Sequence, residues 1–275
     1  MIKILTDSSS DLSNEIIEKY DITVVPLKVN IDGKDYLEGI DLTPQVFFAK
    51  LFSSEKLPKT SQPSPAAFAE AFSKFGENDE LLCLTISSGL SGTYQSACMG
   101  KELSGANVTV FDTLAGSLAH GFQIIHAAEL AQKEYSVEEI IAVLLRDREK
   151  MNILILLDTL ENIVKGGRLS KFQGSIAKIL NIKVILEGVN GKVEILEKVQ
   201  GKKRFHKKTL EVIRHKKEDF SNTIFGITHT GNVEEAEALK AELIQQFHPK
   251  DVVVRYMGAT MGTYAGRGGM IISFK

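Results

Sequence analysis

The chain of 275 residues is 43% hydrophobic and 25% charged, and its formal net charge is −2. This composition supplies core for one large domain or two smaller ones, and the near-neutral balance removes the electrostatic case for a nucleic-acid partner. Two cysteines, Cys83 and Cys98, sit in apolar settings that read as reduced thiols. The lack of a leader-like start, of membrane-length apolar runs and of metal-ligand spacings predicts a soluble, cytoplasmic protein without a metal site.

Residues 2–5 read as a short strand, followed by the turn Thr6-Asp7-Ser8-Ser9-Ser10-Asp11 and a helix over 12–20. A second strand over 22–29 is broken by Pro26, which predicts an edge or a bend. Helices follow over 44–52 and 65–75. Between them the prolines hold Thr60-Ser61-Gln62-Pro63-Ser64 extended, and Ser64 caps the second helix with Pro65 at its first position. An apolar strand over 81–86 empties into Ser87-Ser88-Gly89-Leu90-Ser91-Gly92-Thr93. Ser91 is expected to cap the next helix, whose inner face carries Tyr94, Ala97 and Cys98. A strand over 108–111 and helices over 117–132 and 137–150 complete an alternating series. That alternation predicts a parallel sheet covered on both faces, with a boundary near Lys150.

The second half has a different texture. An apolar run over 153–157 leads to a short helix over 159–165 that ends at Gly166-Gly167, and 170–180 reads as another helix. Strands over 183–186 and 192–199 are joined through Gly188 and Asn190-Gly191, a hairpin signal. A helix over 204–216, a strand over 223–229, a helix over 232–246 and strands over 252–257 and 270–274 follow. The expected architecture is α/β with two domains: a Rossmann-like parallel sheet with helices on both faces in residues 1–150, and an α+β domain in 151–275.

Three of the turns are rich in hydroxyls: 6–11, 60–64 and 87–93. Ligands of parallel α/β sheets sit beyond the carboxyl ends of the strands, and helix starts with free N–H and hydroxyl donors favour anions. The three turns can therefore converge on one carboxylate or phosphate. Each alone is equally an ordinary capped turn.

In order, these motifs resemble the series of the DegV family. They are Thr6-Asp7-Ser8-Ser9-Ser10-Asp11-Leu12, Thr60-Ser61-Gln62-Pro63-Ser64, Ile86-Ser87-Ser88-Gly89-Leu90-Ser91-Gly92-Thr93-Tyr94, Phe111-Asp112-Thr113 and Lys165-Gly166-Gly167-Arg168-Leu169-Ser170. Pro26-Leu27-Lys28-Val29, Tyr36 and Gly39 fit the same pattern, and the match runs to Gly262. The resemblance implies a two-domain protein, without a cofactor, that holds a long-chain fatty acid such as palmitate in a closed pocket. It implies a role as the fatty-acid-binding subunit of bacterial fatty acid kinase, in which a separate kinase subunit phosphorylates the bound carboxyl group from ATP. It assigns carboxylate binding to Thr60 and Ser91, with Ser61 and Ser88 close by, and phosphate or kinase-partner contact to Arg168, Arg204 and Tyr264.

Such a site needs donors for the carboxylate and an apolar tunnel, where each buried methylene contributes about 0.8 kcal/mol. The hydroxyl clusters contain no lysine or arginine, which suits a carboxylate that must later attack a phosphoryl group. Tunnel candidates are residues 153–157, Leu160, Ile163, Phe172, Ile176, Ile179, Leu180 and the apolar helix over 115–125, all of which also suit an ordinary core.

The chain departs from the family pattern in two places. Gly262-Thr263-Tyr264-Ala265-Gly266-Arg267-Gly268 stands where the family has Gly-Thr-His-x-Gly-Pro-Gly, and Gln200-Gly201-Lys202-Lys203-Arg204 stands where it often has Arg-Gly-Arg. Tyrosine, with an ordinary pKa of about 10, carries protons poorly near neutrality, and lysine does not copy an arginine fork. Weakened kinase coupling is expected, with lipid binding intact. Of the histidines, His206 reads as solvated, His229 ends a strand, and His120 and His126 do not face one another on their helix. The alternatives are a stand-alone small-molecule enzyme and a dihydroxyacetone-kinase-like phosphotransferase domain. A Gly-x-Ser-x-Gly elbow and a Walker loop are both missing.

Overall fold

The computed structural model describes residues 1–54, 56–169 and 182–275. Strand β1 (Ile2–Asp7) runs into one 3₁₀ turn over Ser8–Ser10, then α1 (Asn14–Lys19) and β2 (Thr23–Val25). Pro26 does more than bend the second strand. It ends β2, and β3 (Lys28–Ile31) begins a separate antiparallel sheet with β4 (Lys34–Leu37) and β5 (Lys59–Ser61), in the order β4-β3-β5. The β3–β4 hairpin is an addition to the elements expected from the sequence, and Asp32 (φ 50°) and Gly33 (φ 87°) form the Asp-Gly turn that signals it. Helices α2 (Pro44–Ser53) and α3 (Pro65–Phe72) are capped by Thr43 and Ser64, each with proline in the first turn.

The first large sheet is parallel, in the order β2-β1-β6-β7, with β6 (Glu80–Thr85) and β7 (Val108–Asp112). Alternate side chains serve its two faces. Leu82, Leu84 and Phe111 meet α5 (Ser117–Gln132) and α6 (Val137–Lys150), whereas Leu81, Cys83 and Val108 meet α3 and α4 (Thr93–Ser104). Both cysteines are free thiols; Cys83 is buried and Cys98 partly so.

The second large sheet is mixed, in the order β10-β9-β8-β13-β11-β12. Its strands are β8 (Asn152–Leu157), β9 (Ile182–Val189), β10 (Lys192–Gln200), β11 (Ile224–His229), β12 (Asp251–Tyr256) and β13 (Met270–Phe274). The β9–β10 turn is at Asn190-Gly191, both with positive φ. Leu154 and Leu156 face α8 (Lys202–Lys216) and α9 (Val233–Phe247). Ile155 and Leu157 face the other way, onto a core shared with β3, α2, α7 (Glu161–Lys165) and α10 (Ala259–Ala265). Residues of the first half thus cover one face of the second sheet. The short helix α10 lay hidden in a Gly-rich stretch that read only as a motif. The expected helix over 170–180, with Phe172, Ile176, Ile179 and Leu180, lies outside the described residues. Among the described residues no helix is long and apolar enough to cross a membrane.

Candidate functional site

Two of the three hydroxyl-rich turns meet. Thr60, Ser61 and Gln62 from β5 and its exit, and Leu90 and Ser91 from the turn after β6, line one cavity of about 390 Å³. The first turn does not join them. Ser8 Oγ donates to Glu38 Oε2 (2.6 Å) and Ser9 Oγ to Asp7 Oδ1 (2.5 Å), so carboxylates take up these two hydroxyls. Ser8 and Ser10 border a different hollow beside Glu38 and Gly258.

The turn after β6 differs from expectation in two further ways. Gly92, not Ser91, is the N-cap of α4. The Ser91 hydroxyl contacts Thr93 Oγ1 (2.8 Å), accepts from Thr93 N–H (3.4 Å) and faces the cavity. Ser88 is exposed and lies outside the cavity lining. Its backbone N–H donates to Asp112 Oδ1 (3.2 Å). Ser87 donates to the Gly191 carbonyl (2.6 Å), so the β9–β10 hairpin braces the loop that carries Leu90 and Ser91.

Tyr264 and Arg168, expected as phosphate or kinase-partner contacts, line the same cavity. The Tyr264 hydroxyl lies 2.5 Å from Thr60 Oγ1, and the Arg168 guanidinium stacks 4.9 Å from the Tyr264 ring centroid. Arg168 is held by bonds from Nε to the Leu90 carbonyl (3.3 Å) and from Nη1 to the Gly166 carbonyl (2.7 Å). Gly166 is required because a Cβ there would overlap the Tyr264 ring. A cation therefore does stand at the hydroxyl end, contrary to what the clusters alone suggested, because the α7 exit folds back onto the turn after β6. Arg204 is exposed in the first turn of α8 and is not part of the lining.

Apart from Thr260, whose hydroxyl donates to Glu38 Oε2 (2.6 Å), the remaining wall is apolar: Leu27, Ile86, Leu90, Ile155, Leu157, Ile163, Val193, Met261, Ala265 and Ile271. Of the candidate tunnel residues, Ile155, Leu157 and Ile163 are there, while Leu154 and Leu156 alternate onto the α8–α9 face and Leu160 is core. The apolar helix over 115–125 does not line the cavity. Ile124 packs on the parallel sheet, and Leu118 and Phe122 close on Gly226 of β11. Leu27, Ile86, Leu90, Val193, Met261, Ala265 and Ile271 join the wall from outside the expected tunnel segments. Gln62 Nε2 donates to Ser96 Oγ (2.8 Å), which anchors the β5 exit to α4.

Chemically, the cavity joins an alkyl-compatible wall to a set of hydroxyls and a guanidinium. A hydroxyl carries one proton and two lone pairs. The Thr60–Tyr264 pair uses one proton internally and keeps one to donate, and so does the Ser91–Thr93 pair. That is a receptor for an anionic headgroup. The histidines take no part. Burial lowers the His120 pKa and its Nε2 lies 3.1 Å from Thr6 Oγ1; His126 pairs with Asp147 (2.5 Å), and His229 packs on Tyr256. His206 is not solvated alone but lies 2.6 Å from Glu242.

Two buried carboxylates flank α10. Burial raises the Asp11 carboxyl to about 7, against the lowering effect of hydrogen bonds from Ser117 Oγ (2.5 Å) and Gly258 N (2.7 Å). Burial likewise raises Glu38, against bonds from Ser8 and Thr260.

A family model described as an uncharacterised protein of the DegV family matches residues 1–275. The DegV domain-containing protein YejH of Lactococcus lactis is 37% identical over 274 residues, covering 98% of each chain. The solved structure of a DegV family protein from Thermus thermophilus, described by its fatty acid binding, aligns at a TM-score of 0.92 and 32% identity. The alignment covers 99% of this chain and 98% of that one. DegV from Bacillus subtilis, described as a fatty acid binding protein, aligns at 0.90 and 29% identity with the same coverage.

Proposed function

The chain belongs to the DegV family, and on that premise we propose that it binds a long-chain fatty acid such as palmitate and presents the carboxyl group to a separate kinase subunit for acyl phosphate formation. One observation carries the reading: a single cavity is hydroxyl-lined and guanidinium-lined at one end and, apart from Thr260 whose hydroxyl is bound to Glu38, apolar elsewhere. The carboxylate accepts from the Thr60–Tyr264 and Ser91–Thr93 pairs, with Ser61 at the rim. Arg168 favours its ionised form. The acyl chain runs along Ile155, Leu157, Ile163 and Ile271. The fatty acid binding of the Thermus thermophilus and Bacillus subtilis relatives supports the same ligand class.

The protein acts as a carrier, not as an enzyme by itself. Ser91 has Thr93 as its neighbour, where a hydrolase nucleophile needs a base. Arg204, exposed on α8, is the contact for the kinase subunit, whose acidic surface it would meet. Native mass spectrometry of the purified protein tests the ligand class. Stoichiometric long-chain fatty acid is expected, retained through gel filtration. Absence of any acyl species, both as purified and after incubation of the delipidated protein with palmitate, would refute the reading.

A further inference from the structure

Helix α10 carries Thr260, Met261, Tyr264 and Ala265 onto the cavity wall, yet it does not cap itself. Its N-cap position is Gly258, without a side chain, and the first N–H groups of any helix need partners from outside it. The other half of the chain supplies them. Asp11 Oδ1 accepts from Gly258 N (2.7 Å), and Glu38 Oε1 accepts from Thr260 N (2.7 Å). Glu38 Oε2 takes both Thr260 Oγ1 (2.6 Å) and Ser8 Oγ (2.6 Å). The second Asp11 oxygen accepts from Ser117 Oγ, which also meets Thr228 Oγ1 of β11 (2.8 Å). A Cβ at position 258 would strike both carboxylates, so the glycine makes room for this cap.

A serine or asparagine at 258 would cap the helix locally without burying charge. Two buried carboxylates instead tie the start of α10 to the turn after β1 and to the β4 exit. The helix has only seven residues, barely two turns, so loosening its first turn loosens most of it. Tyr264 is in the second turn, and its hydroxyl must stay within 2.5 Å of Thr60 on β5, an element of the same half as Asp11 and Glu38.

We propose that Glu38 and Asp11 are positioning residues for the headgroup end of the cavity: by capping α10 from the opposite half of the chain they hold Tyr264 against Thr60, and so set how far the cavity prefers a carboxylate to an uncharged headgroup. The proposal rests on the fatty-acid reading above. Its consequence is a headgroup preference that depends on residues touching none of Thr60, Ser91 and Tyr264; Glu38 meets the cavity wall only through Thr260, whose hydroxyl it holds.

The test compares palmitate with hexadecanol, which has the same chain length and no charge. Equilibrium affinities are measured on the delipidated full chain for wild type, Glu38→Ala, Glu38→Gln, Tyr264→Phe and the double variant Glu38→Ala/Tyr264→Phe. Glu38→Ala is expected to weaken palmitate about tenfold more than hexadecanol, the effect of losing one hydrogen bond to a charged group. Glu38→Gln, whose amide oxygen still accepts from Thr260 N, keeps most of the preference. In the Tyr264→Phe background Glu38→Ala changes the ratio no further. Asp11→Ala, measured in parallel, shifts the ratio in the same direction and serves where Glu38→Ala is too unstable to purify. Equal losses for the two ligands, or additive effects of Glu38→Ala and Tyr264→Phe on the ratio, would overturn the positioning role. Wild-type protein that takes up neither ligand overturns the fatty-acid reading, and this proposal with it.

Discussion

Removing Thr60 and Ser91 hydroxyls together separates headgroup anchoring from chain burial. A hydrogen bond to a charged group contributes about 1.5–3 kcal/mol. The two positions are not equivalent. In Thr60→Ala the Tyr264 hydroxyl loses its 2.5 Å partner but is freed to donate to the carboxylate itself, so the loss is about 1 kcal/mol. In Ser91→Ala the remaining Thr93 hydroxyl is fully buried and cannot substitute, so the loss is about 1.5–3 kcal/mol. The double variant should therefore bind palmitate about 2.5–4 kcal/mol more weakly, roughly a hundredfold to a thousandfold. The apolar wall of Ile155, Leu157, Ile163 and Ile271 is untouched. Burial of the alkyl chain contributes on the order of 10 kcal/mol before ordering costs, so binding weakens without vanishing. Displacement of a fluorescent fatty acid from delipidated protein measures this, with hexadecanol as the control whose affinity should change far less. Unchanged palmitate affinity in the double variant would place the carboxylate elsewhere and sink the headgroup assignment.

Three further outcomes are expected. Asp11 has a folded pKa of about 7, raised by burial above its unfolded value near 3.8, so its protonation stabilises the fold. That contribution is complete below about pH 4 and is lost as pH rises to about 7, amounting to roughly 2–3 kcal/mol between pH 5 and pH 8. Urea unfolding of Asp11→Asn should show a correspondingly smaller stability difference between those two pH values, and an undiminished difference would mean that Asp11 is ionised throughout. With a fatty acid kinase subunit and ATP, acyl phosphate formation should be weak in wild type and rise in Tyr264→His, because histidine changes protonation near neutrality. Full wild-type activity that is unaltered by Tyr264→His and abolished by Arg168→Ala would show that tyrosine suffices. The protein alone should turn over neither ATP nor generic esters, and turnover that disappears in Ser91→Ala would favour an enzyme.

Much of the architecture was legible because it is local. Helices α5 and α6 have the expected limits, with Ser136 and Glu139 forming a reciprocal cap at the start of α6. Pro65 after Ser64, and Asn190-Gly191 between two apolar strands, announce α3 and the β9–β10 hairpin through backbone preferences of those residues alone. The departures also have physical causes. Pro26 ends one sheet and lets another begin, a choice that depends on where β5 arrives to pair with β3. The helix over 115–125 is mostly apolar and small because it is buried between the two large sheets, and its composition looks the same as that of a tunnel wall. The cap position of α4 is Gly92 rather than Ser91, whose hydroxyl accepts from Thr93 N–H (3.4 Å), a one-position shift that propensities do not resolve.

By itself the sequence determined the alternation of elements, the hydroxyl-rich turns and the family pattern that runs through them, since hydrophobic period, capping chemistry and turn residues act over a few positions. Only the tertiary structure decided which turns share a cavity, that Arg168 stands among them, and that α10 is capped by Asp11 and Glu38. Thr60 and Tyr264 are 204 positions apart, and Glu38 and Thr260 are 222 apart. No local pattern encodes such meetings; they follow from how the two sheets pack, which brings the turns after β5 and β6 against the exit of α7 and the helix before β13.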